Sequence, residues 1–451
     1  MNPTPKPGIL DISPYVGGRA AVPGLAKVVK LSSNESPIGP SPAALAALDQ
    51  AKASVALYPE GSAALLREAI AEVYKLDAAR IIATGEGSGA LLTMLAGAYL
   101  QPDDECLFGR HAFLLYEIAA RANSARPVMV PEKETNAGIK LDVDAMLAAV
   151  TPKTRLVYVA NPNNPTGSYL NREEMARLHA GLPQDVLLVI DSAYAEYVTA
   201  KDYEAGIELA STFDNVVMTR TFSKLYGLAG LRIGWMYASA AICDVINRIR
   251  GPFNTALLQQ LAGAAAVRDR AHFWKSVEHN NKWLPWITAE IRKTGLRVDD
   301  SVANFVLIHF PHGEKGAAAA DAFLSKNGVI LRGVASYGLP DCLRMTVGTE
   351  DENRLAVSLI QQFMGSSPPA VHEFDPPTAL SAADSPSPNV VTPVKVDEDD
   401  GVESASSSHR VSSGFNLHMF LNESCSASNR QIVVCENTLP YKVPSARPTS
   451  A

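Results

Sequence analysis

The chain has 451 residues, more than one hydrophobic core ordinarily organises, so two lobes or a domain with extensions are expected. Charged residues make up 19% and the formal net charge is -7, which argues against a general polyanion binder and so against nucleic acid as a partner. Five cysteines (Cys106, Cys243, Cys342, Cys425 and Cys435) lie far apart with no C-x-x-C pair, so neither a zinc site nor a disulfide framework is indicated and a reducing, cytoplasmic setting is expected.

The start, "MNPTPKPGILDISPYVGG", has no apolar signal core, and the longest apolar stretch, "GALLTMLAGAYL", is too short to span a bilayer. Between about residues 80 and 240, short β-rich runs follow one another: "RIIATG", "DECLFG", "RPVMVP", "RLVYVANP", "VLLVIDSAY", "NVVMTRTFS" and "LRIGWMYA". Helical stretches such as "SGALLTMLAGAYL" and "NREEMARLHAGL" separate several of them. Runs that are apolar throughout read as strands covered on both faces, so an α/β layer fold with a mainly parallel sheet is predicted. Ligands in such folds bind beyond the carboxyl ends of the strands. After about residue 265 the sequence becomes helix-rich, then supplies "ANFVLIHF", "GVILRGV" and "CLRMTVG" as strands, with "GAAAADAFLSKNG" as a helix between the first two. A last helix starts at "TEDE", where Thr349 and Glu352 have capping-box spacing, and ends near Gly365. From 366 to 451 the chain is rich in Pro, Ser and acid, too poor in apolar groups to offset its ordering entropy, and is expected to be mostly disordered.

The chemistry gathers at the predicted strand ends. "GEGSG" (85–89) closes a strand and opens a helix, a turn that also places backbone N–H groups where a phosphate could sit. "NPNNPTG" (161–167) fixes a tight loop and carries two amide side chains, Asn163 and Asn164. "VLLVIDSAYAEY" drives Asp191 to the end of a buried strand, either as a helix cap or as a carboxylate that needs a partner cation, with Tyr194 three residues on. "TFSK" then brings Thr221, Ser223 and Lys224, and Arg232 opens the next strand. A lysine there either extends its head to bulk water or, deprived of hydration, becomes a neutral nucleophile. Together these groups call for a ligand with a phosphate, an aldehyde, a hydroxyl acceptor and a ring nitrogen that profits from a carboxylate. Pyridoxal 5'-phosphate has all four, and a lysine Schiff base with an Asp partner to the pyridinium nitrogen is its signature.

The stretches "ISPYVGG", "LSSNESPIGPSP", "LYPEG", "NPNNPTG", "DSAYAEY", "TFSKLYGLAGLRIGW", "PFNTALLQQ", "SVANFVLIHF" and "YGLPDCLRMTVGTEDEN" resemble the blocks of the fold-type I pyridoxal-phosphate aminotransferases, and within them the histidinol-phosphate aminotransferases, over about residues 8 to 365. The resemblance implies a large domain with a mainly parallel seven-stranded sheet flanked by helices, plus a smaller α+β domain. It divides the chain into an N-terminal arm (1–45), a cofactor-binding domain (46–260), a small domain (261–365) and a tail (366–451). It implies Lys224 as the Schiff-base lysine, Asp191 as partner of the pyridine nitrogen, Asn164 and Tyr194 as partners of the ring hydroxyl, and Phe113 as a stacking ring. The cofactor phosphate would lie among Ser88, Gly89, Thr221, Ser223 and Arg232, with Tyr58 reaching in from the neighbouring subunit of a homodimer. Arg344 and Arg332, with Tyr15 and Asn34 at the same pocket, would receive a substrate anion, carboxylate or phosphate. The implied reaction converts histidinol phosphate and 2-oxoglutarate to imidazole-acetol phosphate and glutamate in histidine biosynthesis. An aromatic aminotransferase and a threonine-phosphate decarboxylase share much of the pattern. Glu86 stands where relatives commonly carry asparagine, and Gly89 and Ala90 where many carry an acidic pair; a carboxylate at 86 could weaken phosphate binding.

Overall fold

A computed structural model describes residues 3–25 and 27–366, so the expected disorder from 366 onward falls, Ser366 apart, outside the described residues. The seven β-rich runs become seven strands of one sheet: β1 (Ile81–Thr84), β2 (Glu105–Gly109), β3 (Arg126–Val130), β4 (Thr154–Ala160), β5 (Leu187–Asp191), β6 (Val216–Thr221) and β7 (Gly234–Tyr237). They lie in the order β1-β7-β6-β5-β4-β2-β3. From β6 to β3 the pairing is parallel, and β7 alone runs antiparallel to both its neighbours. The reason is the link before it. A parallel return needs a long crossover, usually a helix, and residues 222–233 hold a single 3-10 turn, Ala229–Leu231.

Every residue of β1, β2, β5, β6 and β7 is buried, as strands covered on both faces require. Alternate side chains divide between two cores. Leu107, Val157, Leu188, Met218 and Trp235 pack on one face, and their chain neighbours Cys106, Leu156, Val189, Val217 and Met236 on the other. The second core includes α1 (Ser88–Tyr99) and α2 (Leu115–Ala122).

A second, antiparallel sheet combines β8 (Arg297–Val298), β9 (Phe305–His309), β10 (Arg332–Gly333) and β11 (Cys342–Thr346) in the order β8-β9-β11-β10. Its apolar side packs with α3 (Arg270–Arg292), α4 (Ala317–Lys326) and α5 (Glu350–Met364). The start of α5 carries the expected capping box between Thr349 and Glu352, and Gly365, at φ 84°, ends it. "GVILRGV", expected to be one strand, is two. Val329–Ile330 pairs in parallel with Val29–Lys30, while Arg332–Gly333 joins β11. The N-terminal segment supplies the extra partner: Leu31 N–H donates to the Ile330 carbonyl and Thr346 N–H to the Leu31 carbonyl, both at 2.9 Å. That pairing brings residues 32–34 beside the large sheet. Among the described residues no helix is long and apolar enough to cross a membrane.

Candidate active site

The register of the large sheet sets its loops in one row. Ala160 at the end of β4 pairs with Asp191 at the end of β5, and Asp191 with Thr219 of β6. Gly234, which opens β7, faces Thr221 on one side and Thr84 on the other. The loops that begin at 85, 161, 192 and 222 therefore surround one cavity of ≈ 290 Å³. Tyr15, Asn34, Ser88, Gly89, Phe113, Asn164, Asp191, Tyr194, Thr221, Ser223, Lys224, Arg232, Arg332 and Arg344 all line it. Tyr58 does not: it is 83% exposed and stacks on Phe253 with ring centroids 4.7 Å apart.

One end of the cavity is built for an anion. The helix α1 begins at Ser88 behind Gly87, whose φ of 80° only glycine adopts readily. A Cβ on Gly234 would stand 2.3 Å from the Ser88 nitrogen, so the bare backbone there lets β7 approach the helix start. Arg232 lies beside it: Gly87 N–H donates to the Arg232 carbonyl at 2.6 Å, and Arg232 Nη1 donates to Ser223 Oγ at 3.2 Å. Free N–H groups of a first helical turn, two hydroxyls and a guanidinium with no carboxylate partner among the described residues make a phosphate-sized cradle. Glu86 is exposed and does not line the cavity. The absent side chain at Gly89 leaves room for Leu115, whose Cδ2 would lie 3.1 Å from a Cβ there.

The middle of the cavity holds a carboxylate and an amine. Asp191 is 6% exposed, and two hydroxyls donate to it, Tyr116 to Oδ2 at 2.9 Å and Thr219 to Oδ1 at 3.3 Å. The partner cation anticipated for it is not supplied by the described residues: hydroxyls solvate the charge instead, and burial holds its pKa above the usual carboxylate value. Lys224 does not extend to bulk water. Its Nζ donates to the Ser33 carbonyl at 2.9 Å and lies 5.7 Å from the centroid of the Tyr194 ring. Burial, then the Arg344 guanidinium, bring its pKa down to about 7, against a weaker opposing pull from Glu35. Tyr194, pushed up to about 12 chiefly by burial, keeps its proton and accepts from Asn34 Nδ2 at 2.9 Å.

The far end carries two arginines face to face. Arg332 and Arg344 are cross-strand partners on β10 and β11. Arg344 is buried: Nη1 donates to Asn164 Oδ1, Nη2 to the Ser32 carbonyl at 2.9 Å, and Nε has no partner. Arg332 Nη2 donates to the Val16 carbonyl at 2.8 Å. Neither meets a carboxylate among the described residues, so a second group of unneutralised cations adjoins the first. Of the two amides in "NPNNPTG", Asn164 turns to Arg344, whereas Asn163 donates to the His111 carbonyl and Thr166 Oγ1, both at 3.0 Å, and serves the loop. Asn34 lines the cavity, but its amide is engaged: Nδ2 by Tyr194, Oδ1 by Thr346 at 3.1 Å.

The sequence model of the family "Aminotransferase class I and II" matches residues 26–360. The chain belongs to this family. Two relatives named "Histidinol-phosphate aminotransferase" mark the branch. The one from Rhodopseudomonas palustris is 54% identical over 366 residues, which is 80% of this chain and 99% of the relative. The one from Nitrobacter hamburgensis is 53% identical over 364 residues, 80% of this chain and 98% of the relative. Among solved structures, the histidinol-phosphate aminotransferase of Sinorhizobium meliloti, in complex with pyridoxal-5'-phosphate, aligns with a TM-score of 0.69 at 28% identity, covering 75% of this chain and 92% of its own. The fold is thus that of the fold-type I aminotransferases. In this aminotransferase the sequence reading missed Tyr116, Tyr337 and the carbonyls of Ser32 and Ser33, which all border the cavity. Tyr116 had one available signal, its place three residues after Phe113, which one helical turn brings to the same side. The carbonyls had none.

Proposed function

We propose that this aminotransferase holds pyridoxal 5'-phosphate against Lys224 and exchanges the amino group of histidinol phosphate with 2-oxoglutarate, forming imidazole-acetol phosphate and glutamate in histidine biosynthesis. The donor set fits that cofactor. Ser88, Gly89, Thr221, Ser223 and Arg232 suit a phosphate, Phe113 offers an aromatic face, and Asp191, the one carboxylate lining the cavity among the described residues, suits a cationic ring nitrogen. When bound, the cofactor supplies an aldehyde for the amino group and a ring that takes up the electron pair released at the substrate Cα. Lys224, partly neutral near pH 7, would hold the aldehyde end of the cofactor and, when freed, would take the proton from the substrate Cα as base and return it as acid. Asp191 would keep the ring nitrogen protonated, and Asn164 and Tyr194 would orient the ring hydroxyl. Tyr15, Asn34, Arg332 and Arg344 form the substrate side, Asn34 by fixing Tyr194.

The observation that carries the substrate assignment is the pair Arg332 and Arg344, two guanidiniums with no carboxylate partner among the described residues, on the substrate side of Lys224. A fork of this kind takes the phosphate of histidinol phosphate in one half-reaction and a carboxylate of glutamate in the other. The functional unit is proposed as a homodimer in the cytoplasm. Val55, Leu57, Tyr58 and Phe253 leave an exposed apolar strip suited to a second copy, and Cys106, Cys243 and Cys342 are buried free thiols. The proposed division is an arm to 45, a cofactor domain to 260 and a small domain to 365. The deciding experiment follows the visible band of the cofactor-loaded protein on adding L-histidinol phosphate alone, with L-phenylalanine in parallel. Rapid loss at low histidinol phosphate and slow loss with phenylalanine is the expected result. The reverse order points to an aromatic aminotransferase, and release of carbon dioxide without need of an oxo acid to a decarboxylase.

A further inference from the structure

Tyr116 stands behind Asp191, enclosed on every side. It is fully buried on α2, and its hydroxyl donates to Asp191 Oδ2 at 2.9 Å. Tyr158 of β4 lies parallel beneath its ring, with centroids 4.6 Å apart and 9° between planes, while Phe108 and Phe113 meet it edgewise at 6.0 Å. The supporting ring is itself tied down, since the Tyr158 hydroxyl donates to the Leu92 carbonyl at 2.6 Å. A ring held on its face and along its edges fixes where its hydroxyl oxygen lies, and that place is 2.9 Å from Asp191 Oδ2.

We propose that Tyr116 is a positioning residue for transamination: its hydroxyl holds Asp191 in the carboxylate form, so that the proton shared with the cofactor stays on the ring nitrogen. The inference rests on reading the cavity as a pyridoxal-phosphate site. Its physical basis is a competition. Burial drives Asp191 toward its neutral form, and the hydroxyls of Tyr116 and Thr219 are the two largest opposing influences. Burial and the nearby carboxylate raise the Tyr116 phenol well above its ordinary value, so it stays a donor and never a rival anion. Of the two donors, Tyr116 makes the shorter bond, 2.9 Å against 3.3 Å for Thr219. Without it the carboxylate becomes the stronger base and draws the proton off the ring, and a neutral ring is a poorer acceptor for the electron pair released at Cα.

The test loads the full chain with pyridoxal 5'-phosphate carrying nitrogen-15 in the ring and records the nitrogen signal by NMR in the parent, Tyr116→Phe and Thr219→Val proteins. The expected result is a pyridinium signal in the parent, a displacement toward neutral pyridine in Tyr116→Phe, and a smaller displacement of the same sign in Thr219→Val. In turnover, kcat of Tyr116→Phe falls on the order of tenfold, the effect of one hydrogen bond to a charged group, while KM for the amino donor changes by less than about twofold. A residue that merely packs would lower the melting temperature and leave the nitrogen signal where it was. An unchanged nitrogen signal in loaded Tyr116→Phe overturns the proposal; if that variant does not fold, an unchanged signal in Thr219→Val does so. A parent protein that takes up no pyridoxal phosphate overturns the cofactor reading itself, and the inference with it.

Discussion

Lys224 sits where its amine is most useful near neutrality, and two measurements follow. Because the folded pKa is about 7 against 10.5 for an ordinary lysine, covalent attachment of pyridoxal phosphate to the apoprotein, trapped by borohydride, is expected to speed up with pH and level off just above 7. A rate still climbing toward 10.5 would mean that the amine is hydrated. The same shift enters stability with a definite sign. Between 7 and 10.5 the unfolded chain binds a proton that the folded lysine does not, so this group makes the apoprotein more stable as pH rises through that window and contributes no slope outside it. Lys224→Met is expected to flatten the slope in urea titrations across the window; an identical slope in both proteins would refute the assignment. Tyr194 offers a third check. Tyr194→Phe leaves the buried Asn34 Nδ2 without its acceptor and is expected to cost about 1–3 kcal/mol in stability, besides any effect on turnover. A variant as stable as the parent would show that water replaces the phenol.

At the scale of elements, the active-site loops are braced from beneath. The Glu196 carboxylate, in the 3-10 turn that follows Tyr194, accepts from Arg220 Nη1 of β6 at 3.1 Å, with both side chains almost entirely enclosed. Tyr74 and Trp235 present their ring faces to the same guanidinium. This pair ties the segment bearing Asp191 and Tyr194 to the strand bearing Thr219 and Thr221. Glu196→Leu alone strands a buried cation and is expected to cost about 3–5 kcal/mol, whereas the double change with Arg220→Met costs less than the sum of the two single changes. Additive losses in denaturant melts would show the two charges to be independent. The contact of β7 with the start of α1 is equally demanding, because both sides are backbone. Gly234→Ala inserts a carbon 2.3 Å from the Ser88 nitrogen, so stability and cofactor affinity are expected to fall together, each by about 1–3 kcal/mol, the range for a forced overpacking. Retention of both in the variant would mean that strand and helix part without consequence.

At the scale of the whole molecule, Tyr58 is the residue through which the proposed homodimer is tested. It lies outside the cavity of its own chain, so under the proposed homodimer a mixture of Lys224→Ala and Tyr58→Ala subunits is expected to regain activity that neither variant has alone, by forming one site with both residues intact. Mixed dimers as inactive as the parents would leave Tyr58 without a role across an interface. The sequence by itself determined which polar groups stand at the strand ends and in what order. Continuous apolar runs required strands covered on both faces, and a lysine, an aspartate, an arginine and a helix-opening glycine turn each followed or preceded such a run, which is enough to predict a phosphate-and-carbonyl site at strand ends. The capping box at Thr349 and Glu352 was legible for the same reason, since its chemistry is local. What required the tertiary structure were contacts between distant segments. Tyr116 reads as a core aromatic until α2 packs it against the end of β5, and the Ser32 and Ser33 carbonyls that receive Arg344 and Lys224 have no side-chain signature. The break within "GVILRGV" depends on a partner strand some three hundred residues earlier. Periodicity and capping act over a few residues and survive in a linear text; register, packing and the direction of a buried hydroxyl exist only once the chain has folded back on itself.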